Sequence, residues 1–405
     1  MAKAIVVICD GLGDLPVDGR TPLQAAKTPH MDLLAKNGVC GLMYPLEIGV
    51  IPGSDTSHLN LFGYDPKMFY SGRGPLEALG AGITLKPGDV AFRFNFATVS
   101  GSGAILDRRA GRISTTEAEK LGKELAKIKK VDGVEVIFRH TVEHRGALVL
   151  RGKGLSANIT DTDPHGQGNV LKCESRDGSN ESKYTAEIVN KFMKLAHEKL
   201  KKSLINKKRA KEKKPVANAV LLRGAGAFEK VPSIYERYGI KAACIAGGAL
   251  YKGVARYIGM DVIDVKGATG TKDTDLHAKA QAAALALKNH DLVFLHVKAT
   301  DSFGHDGDFA GKMHMIEKID LMVEELLRIE DTVLVVTADH STPVSLKAHS
   351  ADPVPLAMMK KGGRVDWIER FDETSCARGS LGRIRGKFLL PLVLAMMGRA
   401  KMYGT

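Results

Sequence analysis

Three apolar runs in this chain each stop at an aspartate. Asp10 follows Ala4-Ile5-Val6-Val7-Ile8, Asp301 follows Phe294–Val297, and Asp339 follows Val333–Val336. Unbroken apolar runs of this kind belong to parallel sheets covered on both faces. The C-terminal ends of such strands share one edge, where α/β proteins place their ligands. One aspartate after a strand is an ordinary helix cap. Three are not ordinary when histidines stand close behind: His305 four positions after Asp301, His340 directly after Asp339, and His349 nine further on. Aspartate and histidine without cysteine suit Zn²⁺, Mn²⁺ and related divalent ions. Asp301, His305 and His349 make one candidate ligand set; Asp10, Asp339 and His340, with Ser54, make another. His30, His58, His277 and His314 fit neither set and read as structural.

Ser54 sits in Ile51-Pro52-Gly53-Ser54-Asp55-Thr56-Ser57-His58. Pro52 and Gly53 break what precedes them and hold the hydroxyl on a tight turn, from which it can attack an incoming group. The plainer reading is that Ser54 N-caps the run Thr56–Phe62. Two divalent ions would favour the first by lowering the hydroxyl pKa and neutralising a transferring phosphoryl group. In Ser71-Gly72-Arg73-Gly74-Pro75, glycine lets backbone approach a ligand and Arg73 can face an anion.

The elements that must position these groups follow two textures. The run Lys3–Asp10, then Ala217–Leu222, Ala242–Ala246, Val262–Val265, Asp291–Val297 and Asp331–Thr337, with helices between, predicts an α/β fold with a doubly wound, mostly parallel sheet. From about Ile83 the pattern changes. Val90–Phe96, Val134–Phe138 and Ala147–Leu150 alternate as half-buried strands, Ser114 and Thr115 cap a helix running to Lys130, and another starts at Tyr184. This is an inserted α+β unit. The expected division is 1–80 with 215–405 for the metal-binding domain and 81–214 for the insertion.

A length of 405 residues with 44% hydrophobic residues supports two such domains. The net charge of +13 does not imply nucleic acid. Residues 194–214 carry ten Lys/Arg against Glu198 and Glu212, so most of the excess is local, and no aromatics interleave for base stacking. That segment reads as a helix end and a polar, lysine-rich linker. The apolar runs Ala4–Ile8 and Phe388–Met397 are too short for a signal peptide core or a membrane span, and the second reads as buried core. Five scattered cysteines without a C-x-x-C pair give neither a disulfide framework nor a thiolate site. The expectation is a reduced, cytoplasmic protein with no nucleic-acid or membrane partner.

Asp10-Gly11, Gly53-Ser54-Asp55-Thr56-Ser57-His58-Leu59, Asp301-x3-His305-Asp306-Gly307-Asp308 and Asp339-His340-Ser341-Thr342-Pro343 resemble the alkaline phosphatase superfamily of metalloenzymes. Within it the chain is most similar to the archaeal-type cofactor-independent phosphoglycerate mutase family. Asn60–Pro66, Gly72–Gly80, Leu106–Ile113, Thr160–His165, Ala348–Pro355 and Cys376–Gly382 carry that resemblance across nearly the whole chain, insertion included.

The resemblance implies interconversion of 3-phosphoglycerate and 2-phosphoglycerate through a phosphoserine at Ser54, with two divalent ions and no bisphosphoglycerate. Mn²⁺ is the first expectation for those ions, with Mg²⁺, Co²⁺ and Zn²⁺ as alternatives. It gives Asp10, Asp339 and His340 to the ion shared with Ser54, and Asp301, His305 and His349 to the other. In the insertion, Arg108 and Arg112 would bind the substrate's charged groups, while Asp163 and His165 handle the glycerate hydroxyls, Asp163 as base. Lys266, with Lys272 nearly equivalent, would bridge phosphate and nucleophile, and Arg223 and Arg73 are further anion ligands. Closure of the insertion would keep water from the intermediate. The partner is a small-molecule substrate, and a homo-oligomer is compatible with the sequence. The alternative function is a metal-dependent phosphomonoesterase or a phosphotransferase to another hydroxyl acceptor.

Overall fold

The structure, a computed structural model, describes residues 2–400, 402 and 404. The chain divides into two compact units, Met1–Tyr70 with Pro232–Thr405, and Ser71–Val231. In chain order the strands are β1 (Lys3–Cys9) and β2 (Val39–Tyr44), followed by β3 (Val90–Val99), β4 (Ile105–Asp107), β5 (Lys130–Val131), β6 (Val134–His140), β7 (Arg145–Arg151) and β8 (Ala219–Ala227). The remainder are β9 (Ala242–Ile245), β10 (Asp261–Val262), β11 (Leu292–Val297), β12 (Thr332–Thr337), β13 (Val354–Met359) and β14 (Gly382–Arg385).

The first unit is built on an eight-stranded sheet ordered β10-β9-β11-β1-β12-β13-β2-β14. The first five strands are mutually parallel, and β13 runs against both its neighbours. The three central strands are buried along nearly their whole length, which is why their sequences lack polar alternation. Register then does the positioning. Cys9 lies opposite Val297, and Ile8 opposite Thr337. The chain therefore leaves β1, β11 and β12 at one level, carrying Asp10, Lys298 and Asp339 to the same edge. Asp301 follows in the first turn of the helix Ala299–Asp306. The run at 388–397 forms the helix Leu389–Met396, with Leu389, Leu390, Val393 and Leu394 buried. Among the described residues no helix is long and apolar enough to cross a membrane.

The second unit holds an antiparallel sheet ordered β4-β3-β7-β6-β5, with β8 paired to β3. Val90, Phe92, Phe94 and Phe96 of β3 point into one core with Phe138, Phe192, Val220 and Leu222. Phe94 and Phe138 stack at 4.2 Å between ring centroids. The helices Thr115–Leu125 and Asn180–Lys202 supply Leu121, Leu125, Ile188 and Val189 to that core.

Four expectations are corrected here. The run at Ala217–Leu222 does not resume the parallel sheet; it is β8, antiparallel to β3. Its second face is covered by the helix Arg73–Gly80, whose Gly74 sits so close to the Ala91 carbonyl that a Cβ there would clash. A strand covered on both faces reads as apolar throughout, whichever sheet it joins. Arg73–Gly80 accordingly belongs to the second unit, not the first. The lysine-rich linker is a helix, Leu204–Lys211, and the helix begun at Thr115 ends at Leu125, short of Lys130. In the lysine-rich helix, buried Arg209 donates to Glu117 (2.6 Å) and to the Ala110 and Pro215 carbonyls, both at 2.9 Å. One arginine thus anchors a helix whose lysines all face water.

Candidate metal centre

Two groups of side chains at the sheet edge bring ligand atoms within 4.8 Å of one another: Asp301, His305 and His349, and Asp10, Asp339 and His340. In the first, His305 Nε2 lies 3.3 Å and His349 Nε2 3.6 Å from Asp301 Oδ1. Each ring is fixed from behind, His305 Nδ1 on the Lys347 carbonyl (2.9 Å) and His349 Nδ1 on the Pro52 carbonyl (2.8 Å). A carbonyl only accepts, so Nδ1 carries the proton and the Nε2 lone pair faces the carboxylate. Two lone pairs aimed at one anionic oxygen fit a cation between them. Otherwise the rings take up protons, and the Asp301 hydrogen bond does raise the His305 pKa above its ordinary value.

The second group is fully buried. His340 Nε2 stands 3.3 Å from both Asp10 Oδ1 and Asp339 Oδ2, and Ser54 Oγ is 3.2 Å from the same nitrogen. Asp339 Oδ1 accepts from the Gly11 amide at 3.2 Å, while Asp339 Oδ2 is buried without a hydrogen bond. Burial, then the Asp10 charge, pushes the Asp339 carboxyl up to about 7. Burial opposes the Asp10 charge too, but Lys298, His296 and His340 outweigh it and hold Asp10 well below the usual range. Two buried carboxylates with an orphaned oxygen and an imidazole nitrogen between them fit a divalent ion better than they fit each other.

Ser54 is the first residue of the helix Ser54–Leu61, with Gly53 as N-cap and no side-chain cap bond. The hydroxyl is thus not consumed in capping. It sits at the positive end of the helix, where an anion is stabilised.

Several members of this site carry little sequence signal. Asp10 Oδ2 is held by Tyr251 Oη and by His296 Nε2 (3.0 Å). His58, read above as structural, places Nδ1 2.5 Å from the Ser54 carbonyl and 3.5 Å from Asp339 Oδ2. Thr342 Oγ1 donates to Asp301 Oδ1 at 2.8 Å and lies 3.0 Å from His340 Nδ1, joining the two groups. Lys298 joins them as well, reaching Asp301 Oδ2 at 2.5 Å and Asp10 Oδ1 at 3.3 Å. The available cues were a histidine inside the apolar run Leu292–Val297 and a lysine directly after it. Lys266 lies on an exposed turn, and among the described residues no ion pair joins it to either group. Lys272 is nearer, paired at 2.7 Å with Asp306, the neighbour of His305, and 4.0 Å above the Phe303 ring.

The second unit gathers the opposite charge. Buried Asp163 accepts from Arg108 Nη2 at 2.7 Å and lies 3.5 Å from Arg223 Nη1. The His165 amide donates to its other oxygen (2.9 Å), and His165 Nε2 meets Asp161 at 2.8 Å. Burial opposes the Asp163 charge, but Arg108, the His165 amide and Arg223 keep the carboxyl below its ordinary value. Burial, with Arg108 and Arg73 nearby, lowers Arg223 despite Asp163. Arg93 stands opposite Arg223 across β3 and β8. Arg73 pairs with Glu77 (3.0 Å), and Arg112 is exposed with a φ of 51°. This arginine cluster with one buried carboxylate suits an anionic ligand.

The metalloenzyme superfamily matches this sequence over residues 2–396. The chain is 49% identical to 2,3-bisphosphoglycerate-independent phosphoglycerate mutase 1 of Methanocaldococcus jannaschii, over 100% of this chain and 99% of the relative. It is 48% identical to the enzyme of the same name from Archaeoglobus fulgidus, over 99% of both chains. Among solved structures, the cofactor-independent phosphoglycerate mutase of Thermoplasma acidophilum superposes with a TM-score of 0.73 at 37% identity, covering 98% of this chain and 100% of that one. A Pyrococcus horikoshii protein does so with a TM-score of 0.87 at 38% identity, covering 100% and 99%. The chain belongs to the metalloenzyme superfamily and, within it, to the 2,3-bisphosphoglycerate-independent phosphoglycerate mutases.

Proposed function

We infer that this chain interconverts 3-phosphoglycerate and 2-phosphoglycerate without bisphosphoglycerate, through a phosphoserine at Ser54. The observation that carries this reading is Ser54 Oγ, uncapped at a helix N-terminus and 3.2 Å from His340 Nε2, a member of one of the two Asp/His groups. Asp10, Asp339 and His340 with Ser54 would hold one divalent ion, and Asp301, His305 and His349 the other, Mn²⁺ being our first choice. Such ions supply charge neutralisation for the phosphoryl group and a lower pKa for the hydroxyl.

Ser54 Oγ gives up its proton and forms a bond to phosphorus as the bond to the substrate's 3-oxygen breaks. That oxygen recovers a proton, leaving phosphoserine and glycerate. Arg108, Arg112 and Arg223, with Arg73, bind the anionic groups of substrate and glycerate, and His165 contacts a hydroxyl. The glycerate turns, its 2-oxygen bonds to phosphorus as the Ser54 Oγ–phosphorus bond breaks, Asp163 accepts the proton of the 2-hydroxyl, and Ser54 Oγ recovers a proton. Asp163 is a weak base while Arg108 and Arg223 pair with it. A carboxylate on the substrate competes for the same arginines, and that competition raises the basicity of Asp163 when it is needed. Phosphoryl transfer of this kind depends on positioning and charge neutralisation. Buried free thiols and the absence of a membrane-length apolar helix among the described residues are compatible with a cytoplasmic enzyme.

The test is phosphorus NMR of the protein with 3-phosphoglycerate and Mn²⁺, bisphosphoglycerate being left out. Formation of 2-phosphoglycerate that EDTA prevents is the expected result. Free phosphate as the sole product would overturn the mutase reading in favour of a phosphomonoesterase.

A further inference from the structure

Lys298 is the one ammonium, among the described residues, that touches a carboxylate from each group: Asp301 Oδ2 at 2.5 Å and Asp10 Oδ1 at 3.3 Å. It stands at the N-cap of the helix Ala299–Asp306, so its backbone is fixed by that helix and by β11. Its side chain is another matter. Four methylenes carry the charge, and the side chain retains 25% exposure beside two carboxylates with 3% or less. Asp10 Oδ1 also lies 3.3 Å from His340 Nε2, and Ser54 Oγ is 3.2 Å from that same nitrogen. A cation on a flexible stem therefore starts three contacts away from Ser54, through Asp10 and His340.

The same carboxylates cannot serve a divalent ion and an ammonium equally. Each ion set against Asp10 or Asp301 brings twice the charge of Lys298 and repels it. The strongest anion then left within reach of the stem is the phosphoryl group being transferred. We propose that Lys298 is a catalytic residue that trades partners: Asp10 and Asp301 hold it when the clusters are empty, and an oxygen of the transferring phosphoryl group takes it when they are filled. This rests on the two-metal mutase reading and adds to it a residue that neither ligand set includes. A compact ammonium on a flexible stem suits such an exchange better than a planar guanidinium.

The consequence is a pair of effects of opposite sign. Lys298→Met keeps the stem and removes the charge. In chelator-stripped protein, isothermal titration with Mn²⁺ should show binding tightened several-fold, because a competing cation is gone. In Mn²⁺-loaded protein, Mn²⁺-dependent binding of orthovanadate should weaken by roughly tenfold or more, the scale of a charge-assisted hydrogen bond. Lys298→Arg, which keeps the charge but not the compact ammonium, should recover part of the vanadate affinity. Unchanged vanadate binding in Lys298→Met would overturn the proposal. So would weakened Mn²⁺ binding together with a lowered melting temperature, which would make Lys298 a structural counter-ion. Should the wild-type protein form no 2-phosphoglycerate, the mutase reading falls, while the vanadate contrast still decides whether Lys298 is an anion ligand.

Discussion

The two units concentrate charge of opposite sign, and they tolerate it differently. In the first, Asp10, Asp339 and Asp301 converge with one lysine and five histidines, and Asp339 Oδ2 is left without a hydrogen bond. In the second, Arg108 and Arg223 converge on Asp163, with both Asp163 oxygens engaged. The carboxylate site is incomplete on its own, whereas the arginine site has an internal counter-ion that a ligand must displace. The first suits cations that arrive with two charges each; on the proposed reading, the second takes an anion in exchange for its own aspartate. Changing single groups in each unit tests that contrast.

The largest effect belongs to Ser54, the proposed nucleophile. Ser54→Ala should reduce mutase turnover by at least ~10³-fold, since no other described hydroxyl stands at the helix N-terminus beside His340. Mn²⁺ titration of that variant should still show binding at both Asp/His groups, because all six carboxylate and imidazole ligands remain. Turnover near wild type would dismiss Ser54 as the nucleophile.

The next effect is on stability. Asp163→Asn removes the counter-ion of two arginines at a buried position, and breaking such a pair from one side typically costs ~3 kcal/mol. Urea denaturation followed by circular dichroism would register it. A loss under ~1 kcal/mol would mean that solvent, not Asp163, balances Arg108 and Arg223.

These sites were unequally legible in the sequence. Strand-end aspartates announce themselves because parallel register carries them to one level, as Cys9 opposite Val297 and Ile8 opposite Thr337 do here. The α/β class was legible for the same reason. The limits of the insertion were not, because β8 is covered on both faces and so imitates a central parallel strand. Tyr251 was invisible: it acts through Asp10, far away in the chain, and nothing in local pattern encodes that neighbour. Lys298 could have been noticed as a charge placed directly after an apolar strand. Lys266, a lysine chosen by resemblance, sits on an exposed turn, where local pattern gives it no distinguishing signal.

A smaller effect should appear with pH in the second unit. His144 is buried beside Arg145, Arg109 and Arg223, and burial followed by those charges pushes its pKa down to about 3. An unfolded chain binds the proton near pH 6.5. Between those values the unfolded state holds more protons, so stability falls as pH drops from 6.5 toward 3, by up to ~1.4 kcal/mol per pH unit for this one group. Urea midpoints at pH 7 and pH 5 should therefore converge in His144→Gln relative to wild type. Identical pH dependence in the two proteins would show that His144 accepts a proton in the folded state.

The smallest effect is the most direct probe of the contrast. Asp339 already sits at about 7 because burial and Asp10 disfavour its charge, so Asn imitates the form it half adopts at neutral pH. In chelator-treated protein, Asp339→Asn should be neutral or stabilising by ~1 kcal/mol, the reverse of Asp163→Asn. Added Mn²⁺ should reverse the order, raising the melting temperature of wild type more than that of the variant, because only wild type offers the full ligand set. The two asparagine variants carry the same chemical change into buried sites of opposite surplus charge. If both lowered metal-free stability equally, the carboxylate group would be balanced by its own histidines and Lys298, and the distinction between a site awaiting cations and one with an internal counter-ion would fail.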